Sequence, residues 1–281
     1  MKKQIFPPTI RKNLQIGLII LIAFYCFSSF YVNRSSYYAP PYEKVDISPL
    51  LEKRTYSDEE YAILYAQTGI AKPIIDEIKQ TNDFKSRMLA YQNYYFSNVM
   101  VKAKPMSPVT FYEVSEDENN KPVKLFELAP YKNGDIFFHK STHTLNWRHG
   151  HVGIVVDAKH GKVLESLEPG TISVLQDAEK WTYFPTFRMM RLKNISTEKM
   201  DEIASYTKEH LSGIPYSILS LKSNKSDVTA THCSLLIWQA YDAFGINLDS
   251  NKGLFTSPKD LASSDYLETL QVFGVNPDKK W

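Results

Sequence analysis

Cysteine is scarce in this 281-residue chain: there are two, Cys26 and Cys233, in segments of unlike character. Cys26 lies in an apolar N-terminal stretch, so Cys233 has no disulfide partner in the rest of the chain and a disulfide framework is excluded. Charge of one sign is lacking too. The 33 Lys and Arg against 31 Asp and Glu leave a formal net charge of +2, too small for a nucleic-acid surface. The 11 glycines form no phosphate-binding loop, no Cys/His pair has zinc spacing, and no internal repeat or long charge run is present. No cofactor and no nucleic-acid partner is expected.

What the chain does have is one long apolar run. Lys2, Lys3, Arg11 and Lys12 precede an uncharged stretch from Asn13 to Asn33 with the centre LQIGLIILIAFYCF. At ~1.5 Å per residue it can cross a hydrocarbon core of ~30 Å, whereas cleaved signals have apolar regions of roughly 7–15 residues. The reading is an anchor, with a cleaved signal and secretion as the alternative. The N-terminal positive charges keep that end in the cytoplasm, so the chain after Arg34 is expected outside it, in the periplasm or on the cell surface. Phe24 and Tyr25 stand where an acylated cysteine needs small residues, so Cys26 reads as a small apolar membrane residue.

Residues 1–34 are thus read as anchor or signal, 35–104 as spacer and helical leader, and 105–281 as the main domain. Tyr, Pro and Ser from Ser35 to Pro49 suit an extended spacer. Ser57 and Glu60 make a capping box, Pro73 opens a second short helix, and FKSRMLAYQNYYFSN reads as a third. Tyr61, Tyr65, Tyr91, Tyr94 and Tyr95 form a stripe expected to pack on the following domain, with roofing of a substrate cleft as the functional alternative. From Pro105 the runs VTFYEVS, KLFELA, DIFFHK, HVGIVVDA, KVLESL, TISVLQ and FRMMRLK read as strands, followed by a helix capped by Ser196 and a helix beginning near Cys233. Strands and then helices indicate an α+β domain with an antiparallel sheet packed on helices.

A lone thiol is often only a small buried hydrophobe, so Cys233 needs companions to be a nucleophile. His151 begins one strand and Glu165 ends the next, with the break AKHG between them. Their even separation puts both side chains on one sheet face if the loop is odd, and on opposite faces if it is even. Thr229 or Thr231 is a plausible N-cap that would set Cys233 in the first helical turn, where free N–H groups and the dipole favour a thiolate. His149 is the rival base, less favoured because His151 abuts the VGIVV run. His232 is assigned a structural or rim role, and Asp135 a turn. His139, His143 and His160 are placed on strand ends or loops. A metal cluster of His139, His143, His149 and His151 has no acidic motif to support it, so no metal is expected. Trp147, Trp181, Tyr183, Phe184 and Phe187 can form an apolar wall, but at least half of them read as core.

The order GDI, HVGIV, a strand ending in Glu, GIPY and HCSLLIW resembles the circularly permuted NlpC/P60-like hydrolases, the YiiX-like papain-fold group, over about Gly134 to Leu261 including SPKDL. In unpermuted relatives the cysteine helix precedes the histidine strand; here His151 comes first. The resemblance implies a permuted papain-like fold, with Cys233 as nucleophile, His151 as base and then acid, and Glu165 orienting the imidazole. It also suggests Tyr216 in the pocket or at the oxyanion. It implies a cysteine hydrolase acting on an amide in a peptide or cell-wall fragment. A lipid ester or amide hydrolase or acyltransferase with the same site, and a non-catalytic envelope-binding module, are the alternatives.

Overall fold

The computed structural model describes residues 7–33, 37–223, 228–279 and 281. Lys2, Lys3, Arg34 and Ser35, which enter the orientation and spacer readings, lie outside them. The uncharged run forms α1 (Pro8–Asn33), of which Thr9–Phe30 is long and apolar enough to cross a membrane. The leader comprises α2 (Ser48–Leu51), α3 (Asp58–Thr68), α4 (Lys72–Ile78) and α5 (Phe84–Tyr95). The Ser57/Glu60 capping box closes the start of α3 in both directions.

Strands follow: β1 (Lys102–Pro105), β2 (Thr110–Val114), β3 (Ile136–His139), β4 (Thr142–Thr144), β5 (Trp147–Arg148), β6 (His151–Asp157), β7 (Lys162–Glu165), β8 (Val174–Asp177) and β9 (Phe187–Leu192). Then come α6 (Thr197–His210), α7 (Cys233–Asp242), α8 (Pro258–Ala262) and a returning strand, β10 (Leu267–Phe273). A six-stranded sheet has the order β10-β9-β3-β6-β7-β8, and a four-stranded one β1-β2-β4-β5, with all pairs antiparallel.

The larger sheet is buried on both faces. Phe137, Val155, Val163, Phe187, Met189 and Val272 join the leader in one apolar cluster, while Ile136, Ile154, Leu164 and Met190 join α6, α7 and α8 in the other. The period-2 alternation along β6 therefore sorts odd residues to the leader side and even residues to the helix side. Tyr91 and Tyr95 are buried in the first cluster, with Tyr61, Tyr65 and Tyr94 packed against it, as the stripe predicts.

Two readings are corrected. The segment after α1 does not stand free as a spacer: Tyr38 N–H donates to Gly274 O, and Ile47 is fully buried in the leader cluster, because an apolar residue there gains more from the core than from solvent. KLFELA is not a strand. Leu125, Phe126 and Ala129 are buried, but the segment has no ladder partner and is held by single bonds such as Leu125 N–H to Thr182 O.

Candidate active site

His151 opens β6 and Glu165 closes β7, and the ladder between them pairs Ile154 with Leu164 and Val155 with Val163. The connection 158–161 is even, which alone would send the two side chains to opposite faces. A register shift between Val155 and Asp157 restores the parity, so both point to the leader face. His151 Nε2 and Glu165 Oε2 lie 2.9 Å apart.

The carboxylate is almost fully buried and fully engaged. Lys180 Nζ is 2.9 Å from Oε2, and Trp181 Nε1–H donates to Oε1 at 3.2 Å. Burial alone would raise the Glu165 pKa, but Lys180 and His151 outweigh it and hold the carboxyl below its ordinary value. The indole of Trp181 stacks on the His151 ring at 5.8 Å and 19°. Gly153 makes room for this arrangement: a Cβ there would lie 2.7 Å from Val163, 2.9 Å from Glu165 Cγ and 3.0 Å from the Trp181 ring.

Cys233 is the first residue of α7, which packs against β6 and brings the half-buried thiol to the imidazole. With Nε2 given to Glu165, Nδ1 is the nitrogen left for sulfur. Burial opposes the Cys233 thiolate, yet His151 and then His232 stabilise it and pull its pKa well below the ordinary value. Reciprocally, burial would lower the His151 pKa, but Cys233 and Glu165 raise it to about 9. Both shifts act in the direction that favours a thiolate–imidazolium pair.

The N-cap of α7 is His232 rather than Thr229 or Thr231. Its Nδ1 accepts from Leu235 N–H at 3.4 Å and lies 3.3 Å from Ser234 Oγ. Thr231 is instead spent on a parallel bridge to Tyr216 and a bond to Gln239 Oε1. His232 therefore caps the helix, and its charge and hydrogen-bonding capacity also favour the Cys233 thiolate. The Tyr216 pKa is raised by burial and by the nearby Cys233 charge, so its phenol keeps its proton and can donate.

His149 is not in the strand. Gly150, at φ +74°, turns the chain before β6, and His149 Nε2 pairs with Thr144 Oγ1 at 2.9 Å. Burial lowers its pKa, so it stays neutral. His143 faces Glu113, and Asp135 accepts from Arg191 Nε and Nη2, each at 2.7 Å. Among the described residues no three His, Cys, Asp or Glu side chains converge to hold a metal.

A cavity of about 280 Å³ adjoins His151 and Glu165; most of its exposed wall is apolar, from Tyr112, Val114, Leu167, Tyr183 and Phe184, with Lys104, Glu116, Gln176 and Lys180 also lining it. Its far wall comes from β1 and β2 of the small sheet, not from the leader helices named as a possible roof. Trp181 and Phe187 belong to the core, whereas Trp147 is exposed. Sequence reasoning missed Lys180 and Gly153, whereas His139, read at a strand end, does end β3. His139 is the cross-strand partner of His151 and is stacked on Phe184 at 3.9 Å. A glycine inside an apolar strand was the one available signal, marking a close approach.

No protein-family model matches the chain. It is 30% identical over 148 residues to the uncharacterized protein YycO of Bacillus subtilis (strain 168), a match covering 52% of this chain and 58% of that protein. A crystal structure of the metalloprotein yiiX from Escherichia coli O157:H7 is similar with a TM-score of 0.41 and 17% identity, covering 50% of this chain and 96% of that one. The chain is an α+β protein with antiparallel sheets packed on helices, and it spans less than two thirds of the length of the Bacillus subtilis protein that it matches.

Proposed function

We propose that the chain is a membrane-anchored, outward-facing thiol hydrolase that cleaves an amide in a peptide or cell-wall fragment through Cys233, His151 and Glu165. The observation that carries this reading is the convergence of a first-turn cysteine, an imidazole and a buried carboxylate from three separate elements, supported by the upward shift of the His151 pKa and the downward shift of the Cys233 pKa.

The thiolate attacks the carbonyl carbon, forming a C–S bond as the carbonyl electrons move to oxygen. The Cys233 and Ser234 N–H groups, ahead of the Leu235 N–H that His232 caps, have no intrahelical acceptor and can hold that oxyanion, with the Tyr216 hydroxyl as a further donor. Collapse breaks the C–N bond while His151 gives its proton to the leaving amine. The neutral imidazole then takes a proton from water, which attacks the thioester, releasing the acid and restoring the ion pair. Glu165 fixes the ring and stabilises its cation throughout.

A second reading, hydrolysis of a lipid ester or amide with the same residues, is favoured by the apolar walls of the adjoining cavity. For both, the test is the pH dependence of Cys233 alkylation by a small neutral electrophile in the wild type and in His151→Ala. The expected result is an apparent pKa far below ~8.5 that rises toward that value without His151. A thiol that titrates normally in both proteins would sink the hydrolase reading and favour the non-catalytic binding module.

A further inference from the structure

Outside α1, two groups of exposed apolar side chains flank the candidate site. On one side, Val109, Leu145 and Trp147 crown the small sheet, where Leu145 N–H donates to Val109 O at 2.7 Å; β5, which carries Trp147, leads through His149 into His151. On the other, Leu219 lies in the loop after Tyr216, and Leu254 and Phe255 in the loop before α8. Lys222 N–H to Leu254 O joins these two loops. Ser217 N–H to Thr231 O and Ser234 Oγ to Thr256 O tie them to the start of α7. The six side chains are between 39% (Trp147) and 78% (Leu219) exposed, a concentration unusual for a surface facing only water.

The membrane segment ends against this region. α1 packs on β5, and Ser29 Oγ donates to Asn146 O at 3.0 Å, at the tip of the hairpin between Leu145 and Trp147. From Asn33 to Tyr38, whose N–H is already bonded to Gly274 O, the chain can extend roughly 18 Å at most, so the domain stays within that distance of the end of α1. A tryptophan at the end of a membrane helix is also where interfacial aromatic residues concentrate.

We propose that Val109, Leu145, Trp147, Leu219, Leu254 and Phe255 form a rim that dips into the bilayer holding α1. The Cys233 cleft then opens on the membrane and takes an acyl-bearing amphiphile from it. This rests on the thiol-hydrolase reading, deepens its lipid form, and takes α1 as an anchor. The apolar cavity beside His151 receives the acyl chain while the scissile carbonyl stays at the interface with the thiolate.

The test uses the full chain in phosphatidylcholine vesicles. With lipid brominated high on the acyl chain, part of the tryptophan emission should be quenched, and that part should disappear in Trp147→Phe. In the same vesicles Cys233 is alkylated by iodoacetamide or by a haloacetamide carrying a long acyl chain. Leu219→Ser with Phe255→Ser should slow the acyl reagent at least about tenfold, about 1.4 kcal/mol, and leave the iodoacetamide rate unchanged. Emission from Trp147 that is indifferent to bromine would overturn the proposal and leave the rim to a protein partner or to solvent. Equal slowing of both reagents, or of neither, would overturn the role of the rim in admitting substrate. A wild-type thiol inert to both reagents would defeat the hydrolase reading, while the bromine result would still decide the membrane contact.

Discussion

The candidate chemistry is concentrated in one ion pair whose two members shift each other. His151 has a folded pKa of about 9, above its unfolded value near 6.5, so its contribution to stability is fully present below ~6.5 and is lost as pH rises through about 9. Hydrolysis should follow the same limb, because the leaving group needs the imidazolium proton, whereas alkylation of the thiolate should not decline above pH 9. Replacing Glu165 by Gln removes the anion that Lys180, Trp181 and His151 share. The expected outcome is a fall in kcat of roughly 10²–10⁴-fold and an upper limb displaced to lower pH, read from a pH–kcat profile. Gly153→Ala must push aside Val163, Glu165 or Trp181, and an overpacking cost of about 1–3 kcal/mol should appear in chemical denaturation together with slower Cys233 alkylation.

At the scale of elements, α7 and β6 do the assembling, and His232 couples the helix start to the thiol. It caps Leu235 N–H through Nδ1 and its ring stabilises the Cys233 thiolate. Two substitutions separate these roles. His232→Ala should cost about 1 kcal/mol of stability and raise the thiol pKa, while His232→Asn, which can still cap, should restore the stability but not the low pKa. Equal thiol pKa values in the His232→Asn variant and the wild type, measured by alkylation, would assign His232 to capping alone. The β6–β7 hairpin shows the same dependence on detail, since a single shifted residue between Val155 and Asp157 turns an unfavourable loop parity into a shared face.

For the whole molecule, the leader completes one of the two core clusters rather than hanging from the domain as an appendage. Its helices cover one face of the six-stranded sheet, and Ala71 N–H to Leu270 O with Val272 N–H to Gly69 O also cover the edge strand β10. Thermal unfolding should therefore give one transition that removes the leader and the sheet together. A chain beginning at residue 105 should expose Phe137, Val155, Phe187 and Met189 and aggregate. Two separated transitions, with the shorter chain soluble and folded, would show instead that the leader folds by itself.

The amino-acid sequence by itself determined the local terms. The uncharged run made α1, Ser57 with Glu60 made a capping box, Ser196 capped α6, and alternation along HVGIVV made a strand whose His151 and Glu165 could share a face. These depend on neighbours a few residues apart, which periodicity records. Tertiary structure decided which face those two residues share and which residue caps α7. It also decided where the first residues after α1 pack, and it set Lys180 and Trp181 on Glu165 and the small sheet over the cavity. None of these could be read from spacing, because each is a contact between segments far apart in sequence, chosen by how the layers pack and by where buried charge finds its partners.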